Sequence, residues 1–386
     1  MIASQRPSPA LLFLSFLRLG MTSFGGPAMI AYIRKMAVDE KGWLDSETFR
    51  AGVALCQALP GATAMQVAAY VGLRTGGVGR AALAYIGFGL PAFLMMMALS
   101  ALYVQTQNLP VAVSLFSGLS AIIVAIVANA AFSFGRSILV LWRDAAIAAL
   151  AAGAFIFGVS PIPVILLAAL AGLAIYRDKS FSPKVNALAE TQKTAVPLMV
   201  IMLAAAGGFC LLFIWQRPLF DLAALMFRID LFAFGGGFAS LPLMLREVVE
   251  IRSWIDGPAF MNGIALGQIT PGPIVITATF VGYLMYGPIG GVVATLGMFL
   301  PSFMMVIGTV PYYDRLSGSP GFNRAVNGIF CSFAGLLAYV AFRFATAMPW
   351  DLPHVSLAAA ALIALIAGVD ILWVVLAGAV ISALML

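Results

Sequence analysis

The stretch "RLGMTSFGGPAMIAYI", residues 18–33, poses the problem of the whole chain: an apolar run with an arginine at its start and Gly25-Gly26-Pro27 in its middle. Proline removes a backbone donor and cannot continue the helix before it, yet it suits the first turn of a new one. The run therefore reads as a helix that stops and restarts. "RIDLFAFGGGFASLPL", residues 228–243, repeats the arrangement 210 positions later. A lone Gly-Gly in an apolar helix is most simply a close-packing surface. Duplication beside an arginine favours a break instead.

Working outward, the match extends over both halves. At a shift of 210, Arg18 falls on Arg228, Phe24-Gly25-Gly26 on Phe234-Gly235-Gly236, Gly72 on Gly282, Gly87 on Gly297, Pro91 on Pro301 and Gly118 on Gly328. At 211, Trp43-Leu44-Asp45 falls on Trp254-Ile255-Asp256, Gln57 on Gln268 and Pro60-Gly61 on Pro271-Gly272. Residues 11–176 and 221–386 are thus two copies of one unit. Each copy has six apolar segments, in the first 11–33, 49–72, 79–104, 112–135, 144–158 and 161–176. A polar linker, 177–195, and one unduplicated apolar run from Val196 to Trp215 separate them. An even-numbered unit returns the chain to its starting side, so a single added crossing turns the second copy over.

The expected fold is an all-α polytopic membrane protein of about 13 segments long enough to span a bilayer. It comprises an N-terminal membrane repeat (1–176), a cytoplasmic linker (177–195), a connecting transmembrane helix (196–216) and an inverted C-terminal repeat (217–386). Its discontinuous helices lie at Gly25/Gly26 and Gly235/Gly236. Composition agrees: 62% of the 386 residues are hydrophobic and 9% charged, against about 25% charged in soluble domains. The net charge of +6 is scattered over loops, which excludes a nucleic-acid face. Arg18 interrupts the first apolar segment and no small-residue cleavage site follows, so a removable signal is not expected. With the N-terminus cytoplasmic, only Arg34, Lys35, Lys41, Arg50 and Arg217 among loop Lys and Arg lie outside, as the positive-inside rule requires. Cys56, Cys210 and Cys331 lack metal-site or CxxC spacing and read as buried small hydrophobes. Trp43 and Trp254 read as interfacial anchors.

In inverted-repeat transporters, half-helix ends from both copies meet a ligand near the bilayer midplane. Restarted helices present free N–H groups and a partial positive charge of about half a unit. Arg18 and Arg228 add charge, which at depth costs at least about 2.5 kcal/mol and calls for compensation. A second pair of breaks, Leu59-Pro60-Gly61 and Thr270-Pro271-Gly272, follows Gln57 and Gln268, whose amides donate to oxyanion oxygens, as do the Thr63 and Thr270 hydroxyls. The candidate substrate site is therefore Arg18, Phe24, Gly25, Gly26, Gln57, Pro60, Gly61, Arg228, Phe234, Gly235, Gly236, Gln268, Thr270, Pro271 and Gly272. Asp230 and Asp370, carboxylates in apolar runs, are the candidates for proton coupling. No catalytic residue, metal or cofactor is expected. His354 is the single histidine, and HExxH, a nucleophile elbow and GxxxxGK[ST] are absent, which argues against an enzyme and against direct ATP drive.

The Phe-Gly-Gly of each half, the Trp-Leu/Ile-Asp and the Gln268-x-x-Pro271-Gly272-Pro273 resemble the chromate ion transporter family in its long, two-domain form. The resemblance covers nearly the whole chain. The first copy departs from it at Ala62, where the fuller pattern has a second proline. The resemblance implies antiparallel halves and secondary efflux of chromate across a bacterial inner membrane, conferring chromate resistance. Two arginines and backbone donors suit any tetrahedral dianion, so sulfate, another anion or a passive anion channel stay open. The expected partners are chromate or a sulfate-like oxyanion and the lipid bilayer, with a homodimer left open.

Overall fold

The computed structural model describes residues 7–24, 28–177, 194–312 and 318–385. The expected break at Gly25/Gly26 and most of the 177–195 linker lie outside the described residues. Within them the chain is helical throughout, with no strand.

The first copy begins with α1 (Pro9–Thr22), which has Pro at its N-terminal turn and Ser8 as its N-cap, the Ser8 hydroxyl accepting Leu11 N–H at 3.2 Å. After it come α2 (Ala28–Arg34), running into a π-helical turn Lys35–Glu40, α3 (Ser46–Ala58) and α4 (Thr63–Gly76). Then follow α5 (Val78–Thr106), α6 (Pro110–Ile138), α7 (Trp142–Ile156) and α8 (Pro161–Ile175). The unduplicated run is α9 (Ala195–Trp215), apolar on every face and burying none of its residues. Cys210 lies on it and is exposed, so only Cys56 and Cys331 are the buried small hydrophobes the sequence suggested.

The second copy repeats this order. It holds α10 (Arg217–Phe232), α11 (Gly237–Met244) with a π-helical turn Leu245–Ile251, α12 (Gly257–Ile269) and α13 (Thr277–Thr309). It ends with α14 (Pro320–Ala347), α15 (Leu352–Ile366) and α16 (Ile371–Met385). A shift of 210 carries α7 and α8 onto α15 and α16 end for end, and 211 carries α3 onto α12. Helix α13 corresponds to α4 and α5 together: it is bent at Tyr286 and Gly287 (φ +60°), and Gly77 (φ +87°) divides α4 from α5. Among the described residues, five helices are long and apolar enough to cross a membrane: Val78–Thr106, Pro110–Ile138, Ala195–Trp215, Ile274–Tyr312 and Pro320–Ala347.

The chain forms two compact units, and each takes segments from both copies. The first comprises Met1–Ala98, Ser182–Ser240 and Thr270–Ser319; the second comprises Leu99–Phe181, Leu241–Ile269 and Pro320–Leu386. In the first unit α10 lies along α13. The approach is close because Gly297 has no side chain: a Cβ there would stand 2.7 Å from Ala223 O. The matching glycine of copy one, Gly87, admits Phe13 O in the same way, at 2.9 Å from where its Cβ would be. Small residues let apolar helices gain van der Waals contact where lipid offers no hydrophobic drive.

In the second unit the copies exchange partners. Helix α14 packs on α7 and α8, and α6 packs on α15 and α16. Gly328 meets Ala168 and Gly172, and Gly118 meets Ser382, the position equivalent to Gly172. Asp144 is fully buried there; its Oδ2 accepts the Leu141 N–H at 2.8 Å and its Oδ1 accepts the Tyr176 hydroxyl at 2.5 Å.

Candidate functional site

The site lies in the first compact unit, where the helix interruptions of both copies meet. Helix α3 ends at Ala58, Leu59 is extended, and α4 begins at Thr63. Pro60 dictates the stop, because its ring removes a donor and pushes the residue before it out of the helical region. Gly61 takes φ +106°, which a residue with a Cβ rarely adopts. The second copy does the same: Gly272 has φ +114°, and a 3₁₀ turn, Ile274–Ile276, leads into α13. Both proline breaks are therefore unwound rather than merely kinked. The glycine break of copy two is unwound too, since α10 stops at Phe232, ahead of Gly235 (φ +95°) and Gly236 (φ +87°); in copy one α1 stops before an extended Ser23.

The breaks brace each other crosswise. Gly61 N–H of copy one donates to Ala233 O of copy two at 2.9 Å, and Gly272 N–H of copy two donates to Ser23 O of copy one at 2.9 Å. The two bonds are equivalent under the repeat, because Ala233 matches Ser23 and Gly272 matches Gly61. Each copy's proline break is thus tied to the other copy's glycine break.

The starts of the restarted helices come together as a result. Gly236 stands just before α11, and a Cβ on it would lie 3.4 Å from Thr63 Oγ1, the first residue of α4. A Cβ on Gly237 would lie 3.0 Å from Ile274, where the turn into α13 begins. Helix α2 packs on α4. The N-cap of α4, Ala62, offers no side-chain acceptor, so the leading N–H groups of that helix face the cluster without a capping oxygen. Thr63, Gly235, Gly236 and Phe238 are half-buried, which leaves the cluster approachable. Several helix N-termini and a threonine hydroxyl in one place make an environment for an anion.

One side of the cross-brace is polar. Asp230 is fully buried, and its Oδ2 accepts both the N–H and the hydroxyl of Ser302 at 2.7 Å each. Ser302 Oγ in turn accepts the Ala62 N–H at 3.1 Å. Gln66, also fully buried, donates from Nε2 to Pro60 O at 2.5 Å. Two buried oxygens here, Asp230 Oδ1 and Gln66 Oε1, have no hydrogen-bond partner, and neither has Ser23 Oγ beside the Gly272 bond. The equivalent side is apolar: Gly20 stands for Asp230 and Ala92 for Ser302.

Of the residues singled out from the sequence, Pro60, Gly61, Thr270, Pro271 and Gly272 are buried at this junction, and Phe24, Phe234, Gly235 and Gly236 are half-buried beside it. Gly25 and Gly26 lie outside the described residues. Arg228 is half-buried on α10, whereas Arg18 is exposed on the α1 face that carries Leu14 and Met21. Gln57 is exposed on α3; Gln268 is buried on α12 with its Nε2 unpartnered. Asp370 is exposed and accepts Leu372 N–H at the start of α16, a capping position. Sequence reasoning missed Gln66 and Ser302. Ser302 carried a signal: copy two departs from copy one by becoming polar at both 230 and 302, two positions that turn out to touch. Among the described residues no group of His, Cys, Asp and Glu is placed to hold a metal.

The chromate transporter family model matches residues 10–173 and again 220–383, in the register of the repeat. A chromate transport protein of Pseudomonas aeruginosa is 33% identical over 84% of this chain and 78% of its own length. One of Cupriavidus metallidurans is 30% identical over 90% and 85%. An uncharacterised transporter of Methanocaldococcus jannaschii is 41% identical over 90% and 87%. No solved structure matches the chain. With a family of transporters rather than enzymes matching both copies, and with apolar helices long enough to span a bilayer, this multi-pass membrane protein belongs to the chromate transporter family.

Proposed function

We propose that the chain is a secondary active transporter that exports chromate from the cytoplasm and so confers chromate resistance. The observation that carries the reading is the meeting of half-helix starts from opposite copies, with Thr63 Oγ1 at van der Waals distance from the position of a Cβ on Gly236. Family membership and the relatives named chromate transport proteins supply the substrate. Sulfate presents the same tetrahedral oxygens and charge, and is the second reading. The substrate is held by the N–H groups of α4 and α11 and by the Thr63 hydroxyl, with Arg228 and Arg18 drawing the anion in along α10 and α1. Outward movement is assisted by an inside-negative potential, which favours departure of a dianion by about 4–5 kcal/mol per 100 mV.

In this reading the second copy is inverted in the inner membrane. The N-terminus and the 177–195 linker are cytoplasmic and residues 196–216 form the connecting crossing, with a homodimer as the assembly to be tested by crosslinking.

Uptake of chromate into everted membrane vesicles tests the function. Wild type accumulates chromate against its gradient, which a passive channel does not, and unlabelled sulfate competes if the site reads shape and charge alone. Thr63→Val weakens apparent affinity by roughly tenfold, the worth of one hydrogen bond to a charged group. Arg228→Ala lowers it further. Normal uptake by both variants removes the anion from this junction.

A further inference from the structure

We propose that Asp230 is a proton-binding site linked to the oxyanion site through Ser302, so that proton and oxyanion bind together. The inference rests on the transport reading above and adds to it the group that couples. Asp230 Oδ2 is saturated by the Ser302 N–H and hydroxyl, while Oδ1 is buried with no partner. Gln66 Oε1 is likewise buried without a donor, its Nε2 being used on Pro60 O. Carboxyl and amide flank the same glycine: a Cβ on Gly61 would stand 3.0 Å from Asp230 Oδ1 and 3.1 Å from Gln66 Nε2. Two buried acceptors, Asp230 Oδ1 and Gln66 Oε1, thus stand without a donor. A buried polar atom left unpaired is costly, and a proton on Oδ1 supplies the missing donor by forming one O–H bond, with nothing oxidised or reduced. A metal ion calls for a shell of several oxygens, which favours the proton.

The link to the oxyanion is short. Ser302 hydrogen-bonds Asp230 and also accepts from Ala62, the residue on which α4 starts. Neutralising Asp230 removes a negative charge one side chain away from the helix start that receives the anion, and leaves Oδ2 free to keep both Ser302 bonds. Of the titratable groups on the elements packed around α10, Tyr85 of α5 faces Asp230 and donates its hydroxyl to Phe299 O at 2.6 Å. Cys210 of α9 is exposed, and Tyr283 and Tyr286 lie toward the opposite end of α13 from Ser302. Arg228 is two residues away on α10 itself. Among the described residues no second carboxylate is placed to take the role, since Asp221 pairs with Arg217 and Asp370 caps α16.

The test is sulfate binding to the purified full-length protein by calorimetry, because sulfate keeps its double charge across the range used. Wild-type affinity falls as pH rises, by up to about tenfold per unit if one proton is bound per anion. Adding sulfate to wild type in weak buffer draws protons from solution, a measurement that needs no variant. Asp230→Asn binds sulfate with an affinity that no longer follows pH and without proton uptake. Wild-type binding that ignores pH, or an Asp230→Asn protein with the wild-type slope, overturns the proposal while leaving the transport reading intact. Affinity that follows sodium rather than pH assigns the pocket to a metal cation and overturns it as well. If neither sulfate nor chromate binds at any pH, the transport reading fails and takes this inference with it.

Discussion

Gly61 and Gly272 occupy the same place in the two copies and meet different neighbours. A Cβ on Gly61 would overlap Ser302 Oγ and reach Asp230 Oδ1 at 3.0 Å, whereas one on Gly272 would touch only Ala92 Cβ, at 2.8 Å. Both also hold positive φ, which costs an alanine of order 1–3 kcal/mol. Gly61→Ala is therefore the more damaging change, because it also displaces the Ser302 bridge. Ala92→Gly relieves the contact part of Gly272→Ala but not its backbone strain. Thermal unfolding in detergent checks both statements, with Gly77→Ala as the measure of strain alone, since a Cβ there meets nothing within 4 Å. Ser302→Ala leaves Ala62 N–H without its acceptor and strips two donated bonds to one at Asp230, a loss of about 1–3 kcal/mol. The proline-glycine breaks were legible because Pro and Gly act on the backbone at their own positions. The partners of those breaks were not, because a hydrogen bond between residues 62 and 302 leaves no local pattern.

At the scale of elements, the Trp-Leu/Ile-Asp motif shows how a repeat can be read correctly and explained only in part. The tryptophans suggested anchors at the membrane interface; Trp43 is instead buried, 4% exposed, while Trp254 is half-buried. Its N–H closes the π-helical turn onto Ala37 O at 2.8 Å, and Trp254 N–H closes the second onto Val248 O at 2.8 Å. The aspartates then start the next helix: Asp45 accepts Thr48 N–H at 2.8 Å and Asp256 accepts Ala259 N–H at 2.7 Å. The motif is a stop and a cap, spaced so that α3 and α12 begin at equivalent residues. Replacing either aspartate by alanine costs about 1 kcal/mol, the worth of an N-cap. The Thr48 backbone N–H holds the Asp45 carboxyl below its ordinary value. A depressed folded-state pKa means that the stabilisation is present above the unfolded value of about 3.9 and is lost as pH falls through the lower, folded one. The gap in melting temperature between wild type and Asp45→Ala should accordingly hold at neutral pH and close only below about pH 4. A gap that closes near pH 6 assigns the effect to another group.

At the scale of the whole molecule, the copies share their cores. In the first unit the cross-brace joins Gly61 to Ala233 and Gly272 to Ser23, and Tyr85 of copy one bonds Phe299 of copy two. In the second, α14 of copy two is packed on α7 and α8 of copy one, and α6 of copy one on α15 and α16 of copy two. Sequence comparison exposed the duplication because glycines at close approaches recur at one spacing. It was silent on this exchange, because a glycine records that something comes near and not which copy supplies it. The exchange has a consequence for folding. Residues 1–193 expressed alone retain their helices but lack the partners that cover α6, α7 and α8, and the proline break at 60 loses its acceptor at Ala233. Residues 194–386 are deprived in the complementary way. Neither fragment should therefore purify as a monodisperse, cooperatively melting species, whereas co-expression of the two should return a complex that co-purifies through a tag on one and melts near the intact chain. The intact chain gains only by tethering, an effective concentration in the millimolar range, so the split complex should weaken on dilution while its unfolding stays cooperative. A first fragment that folds and melts cooperatively by itself would mean that each copy carries its own core, and that the shared packing is an addition rather than the basis of the fold.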